Sequence, residues 1–232
     1  MGKRGGTKHR KRVAVPKSIP ITNKKENTWA IKSYPGPHNG LHCIPLGMLL
    51  RDILKVTKTA KETTRVLTNR LVKVDGKVRV EAKFPVGLMD VIEFSGSQYR
   101  MVVKEKGRLY PVEVGKDETG TKILKVVKKH TQKGNKIVLT FHDGKVAFGD
   151  NNIKVGDSVV FDISGKKIKS VLKLDKGANC LLIEGKHSGL LAKLQEISEK
   201  EGTKPQATLK ADKGELITVA EYLLVVDDSF KV

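Results

Sequence analysis

Nine cationic side chains stand in the first 25 residues with no acid among them: Lys3, Arg4, Lys8, Arg10, Lys11, Arg12, Lys17, Lys24 and Lys25. Cations this dense repel one another, and a polyanion relieves the repulsion. The chemistry they offer is phosphate neutralisation. Each cation placed on a phosphate releases condensed counterions, which gives tight and steeply salt-dependent binding. The same sign runs through the whole chain, with 45 Lys and Arg against 25 Asp and Glu, a formal +20 over 232 residues. Residues 1–101 hold 21 basic and 7 acidic groups, a net +14, so the polyanion-facing work concentrates there. Aromatic residues are 5% of the chain, too few for base stacking to be the main binding mode. The plain alternative is a soluble surface with surplus lysine.

Other chemistries are suggested and fail. Gly115-Lys116-Asp117-Glu118-Thr119-Gly120-Thr121-Lys122 imitates a phosphate loop, but a Walker loop needs Lys directly after its second Gly and a hydroxyl after that. Asp117 and Glu118 inside it would repel phosphate, and a surface hairpin loop explains the stretch. His38, His42 and Cys43 lie close in sequence, but a fourth ligand at zinc spacing is missing, so no metal is expected. No nucleophile–base set and no carboxylate pair stands out, so neither a catalytic residue nor a cofactor is expected. Cys43 and Cys180 are lone thiols suited to a reducing compartment. No apolar run has membrane-spanning length, and a soluble, cytoplasmic chain is expected.

Four segments must position the cations. Residues 1–41 form a basic extension, loosened by Gly2, Gly5 and Gly6 and interrupted by Pro16 and Pro20. Residues 1–25 are expected to be a disordered tail that orders against a partner, and the chain after them is expected to be irregular, with Tyr34–Gly40 as a rigid, turn-rich link. Residues 42–95 read as an α+β module. Leu46, Leu49, Leu50, Ile53 and Leu54 recur at helical spacing. Thr59-Ala60-Lys61-Glu62 is a capping box opening a second helix. Val72-Lys73-Val74-Asp75-Gly76-Lys77-Val78 is a hairpin around a turn that tolerates positive φ. Arg51, Lys58, Lys61, Arg65, Lys73 and Lys77 are available on the outside of this unit, and Thr59 leaves backbone N–H groups at a positive helix end that suits a phosphate. Read from these residues alone, an ordinary α+β module with solvated lysines remains open. Residues 96–170 alternate short apolar runs with turns, an all-β reading and a small barrel. Residues 171–232 continue in strands, with Ile197–Gln206 as an exposed polar loop and with Gly185 and Gly189 bracketing a short loop, where at least one should hold positive φ. The fold class is therefore multidomain α+β, mainly β after residue 95.

The module's residues, from Thr59-Ala60-Lys61-Glu62 and Arg65 through Asp75-Gly76 to Pro85-Val86-Gly87 and Asp90-Val91-Ile92, resemble the RNA-binding domain shared by ribosomal protein four, some RNA-modifying enzymes and tyrosyl-tRNA synthetases. That module usually has Ser-Arg where Thr59-Ala60-Lys61 stands, with Lys61 supplying the charge here, and Asn-Gly where Asp75-Gly76 stands. The run from Lys176 to Leu194 resembles a KOW motif, a small β unit in an SH3-like barrel. Gly2-Lys3-Arg4-Gly5-Gly6-Thr7-Lys8-His9-Arg10-Lys11-Arg12, then Pro16-Lys17, Trp29, Pro35-Gly36-Pro37-His38 and Ile44-Pro45-Leu46, are similar to the archaeal–eukaryotic type of small-subunit ribosomal protein four. This resemblance covers essentially the whole chain, with a loose match over Ile19–Lys25. It implies a structural constituent of the small subunit that holds ribosomal RNA beside neighbouring small-subunit proteins, acts in the cytoplasm, touches no membrane and is not an isolated homo-oligomer. The RNA-binding set is then Lys3, Arg4, Lys8, His9, Arg10, Lys11, Arg12, Lys17, Arg51, Lys58, Thr59, Lys61, Arg65, Lys73 and Lys77. Two rivals use the same parts: an RNA-modifying enzyme gripping its substrate and a transcription elongation factor with a KOW unit.

Overall fold

The structure is a computed structural model that describes residues 9–21, 23–115, 120–198, 202–211, 214–227 and 230. Lys3, Arg4, Lys8 and the loop residues 116–119 lie outside the described residues.

Two short strands, β1 (Arg10–Lys11) and β2 (Trp29–Ala30), pair antiparallel at the start of the chain. Next come β3 (Cys43–Pro45), a single turn α1 (Leu46–Met48), and the nine-residue helix α2 (Ala60–Thr68). The strands β4 (Val72–Val74), β5 (Lys77–Val78), β6 (Pro85–Gly87), β7 (Val91–Phe94), β8 (Ser97–Lys104) and β9 (Arg108–Glu113) follow. β6 pairs with β3, and the rest form one antiparallel sheet in the order β5-β4-β7-β8-β9. The turn between β7 and β8 is Ser95-Gly96, both at positive φ, so this sheet continues through residue 95 by a tight hairpin.

A second sheet, ordered β12-β11-β10-β13-β14, contains β10 (Thr121–Gln132), β11 (Lys136–Phe141), β12 (Val146–Phe148), β13 (Ser158–Asp162) and β14 (Ile168–Leu172). The third, ordered β18-β17-β16-β15-β19, contains β15 (Asn179–Leu182), β16 (Leu191–Ser198), β17 (Gln206–Ala211), β18 (Gly214–Val219) and β19 (Leu223–Val225). The expected loop at 197–206 is shorter than predicted, because Ile197 and Ser198 pair with Ala207 and Gln206.

Period-2 alternation joins the three layers. Leu181 and Leu224 enter the core shared with the first sheet, while their neighbours Cys180, Leu182, Leu223 and Val225 fill the third sheet's own core. Ile123 points to the first core and Leu124 and Val126 to the second. Strands covered on both faces read as continuous apolar runs, as these do.

Two expectations are corrected. The chain from His9 to Ile21 is folded, not a disordered tail. Val15, Ile19 and Ile21 are buried in the first core, Ser18 O accepts the Leu109 amide at 2.8 Å, and Arg12 N donates to Thr28 O at 2.9 Å. Charge density concealed three apolar anchors, and Pro16 and Pro20 suit an extended chain that needs few ladder bonds. The first helix is also not a regular α-helix. After α1 the backbone widens into a π turn over Leu49–Ile53, with Leu54 N on Leu49 O at 2.8 Å. Leu46, Leu49 and Leu50 are nevertheless fully buried.

Gly185 and Gly189 hold φ of +90° and +88°, and Gly189 N donates to Leu182 O at 2.7 Å to close the loop. That is the left-handed geometry expected of at least one of them.

Candidate nucleic-acid interface

Helix α2 begins as its sequence requires. Thr59 Oγ1 accepts the Glu62 amide at 3.2 Å, and Glu62 Oε2 accepts the amides of Lys58 at 2.9 Å and Thr59 at 3.4 Å. These bonds, the Lys58 amide first, lower the Glu62 pKa. Glu62 thus places its own carboxylate on the Lys58 and Thr59 amides, beside the helix start where a phosphate was expected. What α2 does offer is a flank: Lys61 and Arg65 are exposed, Lys58 precedes them on the surface, and Leu67 and Thr63 anchor the opposite side in the core. On the adjoining hairpin Lys77 is exposed, and Lys73 is exposed with Glu93 at 3.9 Å. In the N-terminal segment Lys11 and Lys17 are exposed, Arg10 is half-buried, and the His9 ring meets Trp29 edge-on at 5.0 Å.

Two of the predicted site residues point elsewhere. Arg12 is 4% exposed. Its Nε donates to Asn23 O at 3.1 Å, and its guanidinium lies 3.6 Å from Asp52 and 3.7 Å from Glu26. Arg51 donates to both oxygens of the same Asp52 at 3.1 and 2.9 Å. The two arginines converge on one carboxylate and fasten the N-terminal segment to the π turn. Arg12 is thereby removed from the surface set.

The strongest electrostatic feature is one the sequence did not single out. Lys122, on β10, is fully buried, and its Nζ donates to Asp75 at 3.0 Å, to Asp143 at 3.1 Å and, very closely, to Asp90. Lys145 adds a second cation, 2.7 Å from Asp75 and 3.2 Å from Asp143. Asp90 also accepts the Gly87 amide at 2.8 Å and has His38 Nε2 at 2.9 Å. His38 packs so tightly on Gly87 that a Cβ there would fall 2.3 Å from its ring, which is why glycine ends β6. This knot joins the N-terminal segment, the first sheet and the second. Burial alone would push Lys122 down, but Asp90, Asp75 and Asp143 outweigh it and hold the lysine above its ordinary pKa. Burial would likewise raise Asp90, and the charges of Lys122 and His38 reverse that, keeping it below the usual carboxylate range. A lysine held protonated has no lone pair for nucleophilic or base chemistry. The arrangement fastens parts of the chain together.

Burial and then the Lys122 charge push His142, next to the knot, down to about 4. Its Nδ1 accepts the Lys125 amide at 3.1 Å. Lys125 makes the next junction, donating from Nζ to Glu221 O at 2.6 Å and Leu223 O at 2.7 Å on the third sheet. Nothing in the local pattern around Lys122 marked it, since its three partners lie 47, 32 and 21 residues away. The hairpin between β10 and β11 was also missed as a basic element. Lys128, His130, Lys133 and Lys136 are exposed at its end, and the run from 128 to 136 contains no acid.

Comparison with known proteins gives a consistent result. The model of Ribosomal family S4e matches residues 95–168, and that of the RS4NT domain matches residues 4–40. The small ribosomal subunit protein eS4 of Korarchaeum cryptofilum is 36% identical over 228 residues, covering 95% of this chain and 97% of that protein. The protein of the same description from Thermoplasma volcanium is 38% identical over 93% of this chain and 91% of its own length. The crystal structure of the 30S ribosomal protein S4e from Thermoplasma acidophilum superposes with a TM-score of 0.72 at 34% identity, covering 81% of this chain and 96% of that one.

Proposed function

Because the chain belongs to the S4e family of small ribosomal subunit proteins, structural constituents of the cytoplasmic ribosome that catalyse no reaction, we propose that it stabilises small-subunit ribosomal RNA by phosphate neutralisation and shape recognition. One observation carries this reading: the cations are sorted. Those that tie the fold together, Arg12, Lys122 and Lys125, are buried, whereas Lys11, Lys17, Lys58, Lys61, Arg65 and Lys77 stand on the surface of the N-terminal segment and the module. Surface cations on a rigid scaffold position a phosphate backbone without reading bases. By sequence alone, Lys3, Arg4 and Lys8 add cations to this set. Neighbouring small-subunit proteins are the remaining partners. The hairpin of β15 and β16, with Gly185 and Gly189 in its loop, fits the KOW reading of residues 171–232.

Co-sedimentation of the protein with small ribosomal subunits at low and high salt tests the proposal. The expected result is retention at low salt that falls steeply as salt rises. Failure to sediment with subunits at low salt would overturn it.

A further inference from the structure

The second sheet curls until its two edges face each other without pairing. β12 is one edge and β14 the other, and a cleft of about 510 Å³ separates them. Its walls differ chemically. The β12 wall presents Val146 and Phe148, 58% and 67% exposed, on the same side of the strand. The β14 wall presents Lys166, Lys167 and Lys169, all exposed. Lys169 lies 3.7 Å from Asp162, and Asp150 is the acid in the lining. On its other flank the Phe148 ring borders a second hollow with Asn135 and Lys136, whose Nζ is 5.9 Å from the ring centroid.

A large aromatic left in water beside cations on both flanks is not a packing residue. In this chain, where aromatics are scarce, it is the more notable. From this juxtaposition we infer a second RNA site: an unstacked nucleotide sits in the cleft, its base on Phe148 and its phosphates on Lys166 and Lys167. Charge favours this occupant over an added protein strand, because the lysines outnumber the single lining acid and the basic run 128–136 continues the surface. Aromatic faces accept any base, so the site selects single-stranded over paired RNA rather than one sequence. The inference rests on the RNA-binding reading above but concerns a different sheet.

The test uses the full chain and a mixed-sequence 12-nucleotide RNA carrying 2-aminopurine, both single-stranded and as a perfect duplex. Phe148→Ala and Phe148→Leu should each weaken single-strand binding about tenfold and abolish the change in 2-aminopurine fluorescence on binding, while Phe148→Tyr retains the affinity. Duplex binding should be unchanged by all three. Lys61→Glu with Arg65→Glu should weaken the duplex instead, so the two readings fail separately. The site is refuted if Phe148→Leu, folded by thermal melting, binds with the parent's affinity and gives the parent's fluorescence change. It is equally refuted if that variant keeps the RNA but loses a cross-link to a neighbouring ribosomal protein, which would assign the cleft to a protein strand.

Discussion

Lys122 and Lys61 are the same residue used in opposite ways. Lys122 is enclosed by Asp75, Asp90 and Asp143, while Lys61 stands in water on α2 with Arg65 one turn away. A buried charge must be matched by partners fixed in place, so its removal leaves uncompensated charge inside the protein. An exposed charge interacts weakly with its own chain and is available to another molecule. In a protein of net +20, the identity of a cation therefore says little about its use, and its depth decides it.

The largest expected effect comes from breaking the buried side. Lys122→Met keeps much of the volume but removes the cation shared by Asp75, Asp90 and Asp143, leaving them with Lys145, His38 and backbone amides, and should cost about 3–5 kcal/mol. Urea unfolding at pH 7 measures it, and a loss below about 1 kcal/mol would remove the contrast between the two lysines.

Acid should act chiefly on the knot, where the shifted groups are buried. His142 is pushed down to about 4 by burial and by the Lys122 charge, whereas an unfolded histidine titrates near pH 6.5. The unfolded chain takes that proton first, so stability falls as the pH drops from about 6.5 towards 4. Asp90 and Asp143 are held below the carboxylate range. Their contribution is present above roughly pH 4 and is lost as the pH falls through their folded values. Lys122, raised by its partners, contributes fully below about pH 10.4 and weakens as the pH rises from there through its folded value. The urea midpoint should be lower at pH 5 than at pH 7, and His142→Gln should flatten that difference. Equal parental midpoints at the two values would contradict the assignment.

A turn without charge sets the scale between the extremes. Gly189→Ala places a Cβ at φ +88° and should cost about 1 kcal/mol in thermal unfolding. A parental melting curve would show that the loop relaxes.

The smallest effect on stability belongs to the exposed side. Lys61→Glu and Arg65→Glu should each change unfolding by no more than about 0.5 kcal/mol. Each should lower the salt slope of ribosomal RNA binding by about one. A large loss of stability, or an unchanged slope, would show that depth does not sort these cations.

Much of the local structure was legible. The Thr59–Glu62 capping box, the Asp75-Gly76 turn and the left-handed glycines follow from steric and hydrogen-bonding rules that act within a few residues. The charge balance likewise pointed to a polyanion as the partner. The N-terminal segment misled because its composition was read without Val15, Ile19 and Ile21, which are isolated in sequence and become anchors only against a core built by later strands.

What the sequence determined by itself was the sign of the charge, the β-rich character of the chain beyond residue 95 and its short-range turns and caps. These depend on residue type and near neighbours. Only the tertiary structure decided which cations face solvent. Arg12 finds Asp52 across 40 residues, Lys122 finds Asp75 across 47, and Lys125 reaches Leu223 across 98. Pairing over such separations is fixed by sheet register and the packing of three layers, and local periodicity carries no signal for it.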